Sequence, residues 1–238
     1  MKRLLAIIGI LLSSAPTMGG LNEGVAALIR GEYVNAFKEF EPEANAGDPV
    51  AQMSPAGLYL RGNGVPQNLE KAFAWNLAAA KQGLAEAQFR VGIAYQYGEG
   101  VQQNLNAAVN WYEKAAGQHH AAAQTNLASL YWNGQGTTKN VQAAIKWYTL
   151  SATNGNAVAQ VNLGNAYKLG IGVPQDFSLA VKWYEKAAKA QHPSAIYYLG
   201  VMHENGTGVS KNITKAESLY LESAARGDRS AYYKLGML

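Results

Sequence analysis

Apolar and polar positions follow a helical period along most of this chain, and the whole pattern returns every 36 residues. Within residues 123–158, Leu127, Leu130 and Tyr131 fall at i, i+3 and i+4, the spacing of one apolar helical face. Within residues 87–122, Leu105, Ala108, Val109, Trp111, Tyr112 and Ala115 make a second amphipathic stripe. Between such stripes stands Gly-x-Gly, at 62 and 64, 98 and 100, 134 and 136, 170 and 172, 206 and 208. Glycine supplies the positive φ that a helix C-terminus needs, so the first glycine ends the first helix. Asn68, Asn104, Asn140, Asp176 and Asn212 precede the second stripe as N-caps, each worth roughly 1 kcal/mol over Ala. The second helix stops near a glycine at Gly83, Gly155 and Gly227.

The full repeats run over 51–86, 87–122, 123–158, 159–194 and 195–230, each opening on an alanine at Ala51, Ala87, Ala123, Ala159 and Ala195. Trp75, Trp111, Trp147 and Trp183 share one register, with Leu219 in the fifth copy. Small residues (Ala56, Gly92, Ala128, Gly164, Gly200) sit beside the first apolar face and let a neighbouring helix approach. One helix pair cannot bury its own apolar face, so a fixed period of this length predicts stacked pairs.

The consensus AQxxLGxxYxxGxGVxxNxxxAxxWYxKAA resembles the Sel-one-like repeat (SLR), a relative of the tetratricopeptide repeat. The match spans residues 51–230, with a half repeat at each end. It implies an all-α fold, an α/α right-handed superhelix (solenoid) of antiparallel helix pairs used mainly to hold other proteins. Family relatives serve envelope assemblies and regulate membrane-bound signalling. Cysteine-rich relatives have been linked to penicillin binding and β-lactam hydrolysis.

Outside the repeats, residues 1–20 read as a secretory signal peptide: Lys2 and Arg3, an apolar run from Leu4 to Leu12, then small residues to Gly20. The cut is expected between 15 and 20, and the run is too short to span a membrane. Residues 21–50 read as an N-terminal capping helix pair in which Pro42 should bend or end the second helix. In the first repeat Pro55 takes a position held elsewhere by Val or Leu, so its helix is expected to start late, capped by Ser54. Residues 231–238 read as a C-terminal half-repeat cap, with Ala231, Leu235 and Leu238 covering the fifth repeat.

Charge and cysteine narrow the function. The chain carries 20 basic and 16 acidic side chains; without Lys2 and Arg3 the balance is 18 against 16. No basic cluster marks a nucleic-acid footprint. There is no cysteine, so stability in an oxidising compartment would rest on helix packing.

Candidate chemistry is sparse. No Ser is followed three residues later by Lys, and neither Gly-x-Ser-x-Gly nor His-Glu-x-x-His occurs. His119 and His120, adjacent on the chain, make a poor metal pair, and His192 and His203 stand alone. No catalytic, cofactor or metal site is expected. Asn205 and Asn212 lie in N-glycosylation sequons, relevant only in a eukaryotic host.

In tetratricopeptide-like stacks the first helices line the concave groove, and repeat positions 3, 7, 10 and 11 point there. They give Phe89, Ile93 and Tyr97 in the second repeat, and Ser129 and Trp132 in the third. The fourth adds Asn165, Lys168 and Leu169; the fifth adds Tyr197 and Val201. Aromatic clusters of this kind mark interfaces, or else pack on the neighbouring repeat. The reading is an exported scaffold or adaptor for a protein partner, in a bacterial periplasm or secreted, with no nucleic acid and no membrane insertion after cleavage. The alternatives are a secreted hydrolase or binder of β-lactam or cell-wall substrates, which predicts turnover or labelling by a penicillin probe, and a eukaryotic secretory adaptor carrying glycan.

Overall fold

A computed structural model describes residues 19–236, and among them it contains thirteen α-helices and no strand. The apolar run of the expected leader lies outside the described residues. Gly19 and Gly20, the last two positions assigned to that leader, are the first of a helix.

The helices come in pairs. α1 (Gly19–Arg30) and α2 (Tyr33–Asn45) precede the repeats. The repeats contribute α3 (Pro49–Arg61) and α4 (Leu69–Lys81), α5 (Ala85–Tyr97) and α6 (Leu105–Gly117), then α7 (Ala121–Asn133) and α8 (Val141–Thr153). α9 (Ala157–Leu169) and α10 (Phe177–Lys189) form the fourth pair, α11 (Pro193–Asn205) and α12 (Ile213–Ala225) the fifth, and α13 (Arg229–Leu235) follows. The chain divides into two compact halves at residue 118. Within the first half each helix from α1 to α6 packs on the next, and within the second half each from α7 to α13 does so.

The expected caps of the five second helices are present. The side chains of Asn68, Asn104, Asn140, Asp176 and Asn212 each accept a hydrogen bond from the backbone N–H three residues on, at 2.8–3.0 Å. Gly62, Gly98, Gly134, Gly170 and Gly206 close the first helices in the left-handed conformation. The second glycine has a packing role that its spacing did not reveal. A Cβ on Gly100 would overlap the Leu69 carbonyl, and one on Gly208 would come within 2.5 Å of the Phe177 carbonyl. These loops press against the N-terminus of the preceding repeat's second helix, a fit open only to glycine.

One proline expectation is corrected, and of the two outcomes expected at Pro42 the helix end is excluded. α3 does not begin at Ser54: it starts at Pro49, capped by Asp48, and Pro55 lies inside it, fully buried. The Asp48 carboxylate accepts from the N–H groups of Val50 (2.9 Å) and Ala51 (2.7 Å), and Pro49 suits the first helical position. That start signal, with the burial of Ala51, Ala56 and Leu58, outweighs the missing amide hydrogen of Pro55. Likewise α2 does not end at Pro42 but continues to Asn45. Its buried stripe of Ala36, Phe40 and Ala44 extends past the proline, whose ring faces outward.

The Trp-Tyr pair divides its labour. Tyr112, Tyr184 and Tyr220 are fully buried and Tyr148 nearly so, whereas Trp111, Trp147 and Trp183 are half-buried. A Cβ on Gly92 would stand 2.5 Å from the Tyr112 ring, and Gly164 and Gly200 receive Tyr184 and Tyr220 in the same way. The small first-helix residue is thus the seat of the tyrosine. The tryptophans are covered from outside, with the Lys114 and Lys186 ammonium groups each 4.2 Å from the centroids of Trp111 and Trp183.

Candidate partner-binding face

A buried tyrosine must bring its hydroxyl to a partner, and the first helix supplies one. In the second repeat Tyr112 donates to Gln96 Oε1 at 2.6 Å. In the third, the Tyr148 hydroxyl lies 2.9 Å from Ser129 Oγ, and in the fourth Tyr184 donates to Asn165 Oδ1 at 2.7 Å. In the fifth Tyr220 donates to Glu204, which also holds the Lys234 ammonium at 2.9 Å. Two of the expected groove residues, Ser129 and Asn165, therefore also serve the core. Gln96 and Glu204 were missed. The signal was readable: a hydrogen-bonding residue stands 16 or 19 positions before each of these tyrosines.

In the first half the expected face lies on α5. Phe89 is half-buried with its ring 5.9 Å from that of Tyr112, and Ile93 is half-buried. Tyr97, one turn further, is 64% exposed.

In the second half Trp132 packs edge-on to Tyr148 at 6.3 Å and joins a cluster with Ala128, Ala144 and Leu163. On α9, Asn165, Lys168 and Leu169 sit at i, i+3 and i+4 and so share one face. Leu169 is 56% exposed, and the Lys168 ammonium lies 4.6 Å from the centroid of Tyr198 on α11. Tyr197 contacts both Tyr198 and Tyr220, and with Val201 and Leu235 it packs against Ala216, Tyr220 and Ala231. Phe89, Trp132 and Tyr197 thus lean on the tyrosine of their own repeat, whereas Tyr97 and Leu169, both at position 11, stand open to solvent.

Electrostatics follow burial. Tyr220 and Lys234 hold the Glu204 carboxyl below the usual carboxylate range. Burial pushes the Lys168 ammonium down and the Tyr184 and Tyr220 phenols up. Three of the four histidines, His119, His120 and His192, stand at repeat junctions, and His203 lies within α11. His120 Nδ1 accepts from the Ala123 N–H at 3.1 Å as the cap of α7, His192 occupies the cap position of α11, and His119 adopts a positive φ of 62°. Among the described residues no three His, Asp or Glu side chains gather as a metal-binding group, and no helix is long and apolar enough to cross a membrane.

Comparison with known proteins agrees with this architecture. The family model for the Sel1 repeat matches residues 51–84, 85–120, 121–156, 157–192 and 193–228. No curated protein matched the chain. Among solved structures, a Sel1 repeat protein from Oxalobacter formigenes is 34% identical with a TM-score of 0.85, over 91% of this chain and 86% of that one. A protective antigen of uropathogenic Escherichia coli displaying an SLR fold is 28% identical with a TM-score of 0.86, over 98% of this chain and 51% of the antigen. The tyrosine seated on a glycine in the second, fourth and fifth repeats, the recurring caps and the family match lead to one conclusion: this chain belongs to the Sel1 repeat family, whose members generally act as scaffolds for protein–protein contacts.

Proposed function

We propose that this protein is an exported, non-enzymatic scaffold of a bacterial periplasm that holds a protein partner on its first-helix face, in envelope assembly or signalling regulation. The observation that carries docking is made in each half by itself: Tyr97 in the first and Leu169 in the second are large apolar side chains at position 11 of their own first helices, 64% and 56% exposed. Exposed apolar side chains cost far less to desolvate than charged groups, and Tyr is among the residues enriched at binding hot spots. Export rests on the Lys2, Arg3 and Leu4 to Leu12 pattern of the sequence.

The test places a photo-crosslinking amino acid at position 97 or 169, and as controls at the exposed second-helix positions 146 and 185, in the native host. Adducts with a discrete protein are expected at 97 and 169 alone, on a chain found in the periplasmic fraction without its leader. Equal adducts at all four positions, or none, would remove the docking face. A full-length chain retained in the cytoplasm would remove export.

A further inference from the structure

The face of α9 carries a charge that no carboxylate among the described residues compensates. Lys168 is half-buried, its ammonium rests on the Tyr198 ring, and no carboxylate among the described residues lies within ion-pair distance of it. The corresponding position in the next repeat is Glu204, whose partner Lys234 stands where Tyr198 stands one repeat earlier. The fifth repeat thus closes this junction with an ion pair, whereas the fourth leaves a cation on a ring.

Around Lys168 the groups suit a negatively charged visitor. Asn165, one turn before it, gives its Oδ1 to Tyr184, and its Nδ2 donates to no described protein atom. Leu169, on the same face, is 56% exposed, and Ile171, two residues on in the loop, is 40% exposed. The half of the chain that holds this face carries 11 basic and 6 acidic side chains over residues 119–236, a balance of +5; residues 19–118 carry 7 and 10, a balance of −3.

We propose that the α9 face is a subsite for an acidic peptide segment of the partner: an Asp or Glu side chain paired with Lys168 and Asn165 Nδ2, with an adjacent apolar side chain against Leu169 and Ile171. This deepens the scaffold reading and rests on it. An ammonium already stripped of part of its water gains more from a carboxylate than a solvated one does, because its desolvation has been met on folding. The apolar flank excludes water from the pair and sets which neighbouring residue the acid must have.

The probe is a phage-displayed library of random linear peptides, selected on the immobilised full chain and measured as labelled peptides by fluorescence anisotropy. Selected sequences should be enriched in Asp or Glu beside Leu, Phe or Trp. Lys168→Met, which keeps the stem, should weaken them by about tenfold or more, Lys168→Arg should retain binding, and added salt should weaken the wild type alone. Thermal melting of each variant separates loss of binding from loss of fold. Peptides without acidic enrichment, peptides that bind Lys168→Met as well as wild type, or no recovered peptide would each overturn the inference. So would Lys168-dependent binding to anionic phospholipid vesicles with no peptide selected. The photo-crosslinks at 97 and 169 report separately, so the subsite can fail while the scaffold stands.

Discussion

The first and fourth repeats have helices of equal length, thirteen residues each, built over very different interiors. In the fourth, Tyr184 is seated on Gly164, where a Cβ would come 2.5 Å from the ring, and its hydroxyl reaches Asn165. In the first, Asn76 replaces the tyrosine and is buried with its Oδ1 unpartnered; Ser54 Oγ is likewise buried without a partner, and Pro55 sits in mid-helix. A buried polar atom left without a hydrogen bond costs roughly 1–3 kcal/mol. An Asp or Asn cap nonetheless starts every helix of both pairs, and Gly62 and Gly170 close their first helices at the same place. Helix ends are therefore set locally by caps and glycines, and the interior decides how strongly the pair is held.

The largest expected effect tests that contrast directly. Tyr184→Ala should lower stability by about 3–5 kcal/mol, in line with deleting a large buried ring. Asn76→Ala, at the same register, should change it little or raise it, since it removes an unsatisfied group. Urea unfolding of the two variants gives the comparison, and equal losses would show that the interiors are not so different.

Next comes Pro55→Leu, which restores the residue type of repeats three to five and returns an amide hydrogen to α3. A gain of up to about 3 kcal/mol is expected, the cost of proline in a helix interior. An unchanged or lower melting temperature would mean that the buried ring of Pro55 contributes packing that leucine cannot replace.

A smaller effect concerns the glutamines at position 2. Gln52 and Gln88 each accept from a glutamine thirty residues on, Gln82 and Gln118, which also donates to the Gly47 or Gly83 carbonyl. Gln160 donates to Ala152 at 3.0 Å, but Ala190 stands where its partner would be, and its Oε1 is buried and unsatisfied. Ala190→Gln should stabilise the fourth repeat by roughly 1 kcal/mol. Amide exchange in α9 and α10 reads this locally, and unslowed exchange would count against the bridge.

The smallest effect is one of pH. Glu204 has its folded value lowered by Tyr220 and Lys234, so its contribution is complete above the unfolded value of about 4.3 and is lost as pH falls through the lower folded value. Exchange in α13 should accelerate in that acid window, and Glu204→Gln should abolish the acceleration. An acid response unchanged in that variant would place the sensitive group elsewhere.

Much of this molecule was legible before any coordinates. The caps, the closing glycines and the helix pairing follow from residues whose effect is local, because an Asx side chain or a glycine acts on the two or three peptides beside it. Positions 7, 10 and 11 share one side of each first helix, as i, i+3 and i+4 spacing dictates. Spacing could not tell which of them stand open. Trp132 was among the expected groove residues, yet it leans on Tyr148, whereas Tyr97 and Leu169 remain exposed. That outcome depends on the ring one helix away.

The prolines divide along the same line. Asp48 and Pro49 announced a helix start in the chain itself, but only the burial of Pro55 among Ala51, Ala56 and Leu58 kept the helix intact through it. The order of elements is a property of short-range hydrogen bonding and backbone geometry, and it repeats wherever the residues repeat. The state of Lys168, half-buried and unpaired, depends on Tyr198 thirty residues away, and such partners are assigned only once the helices have packed.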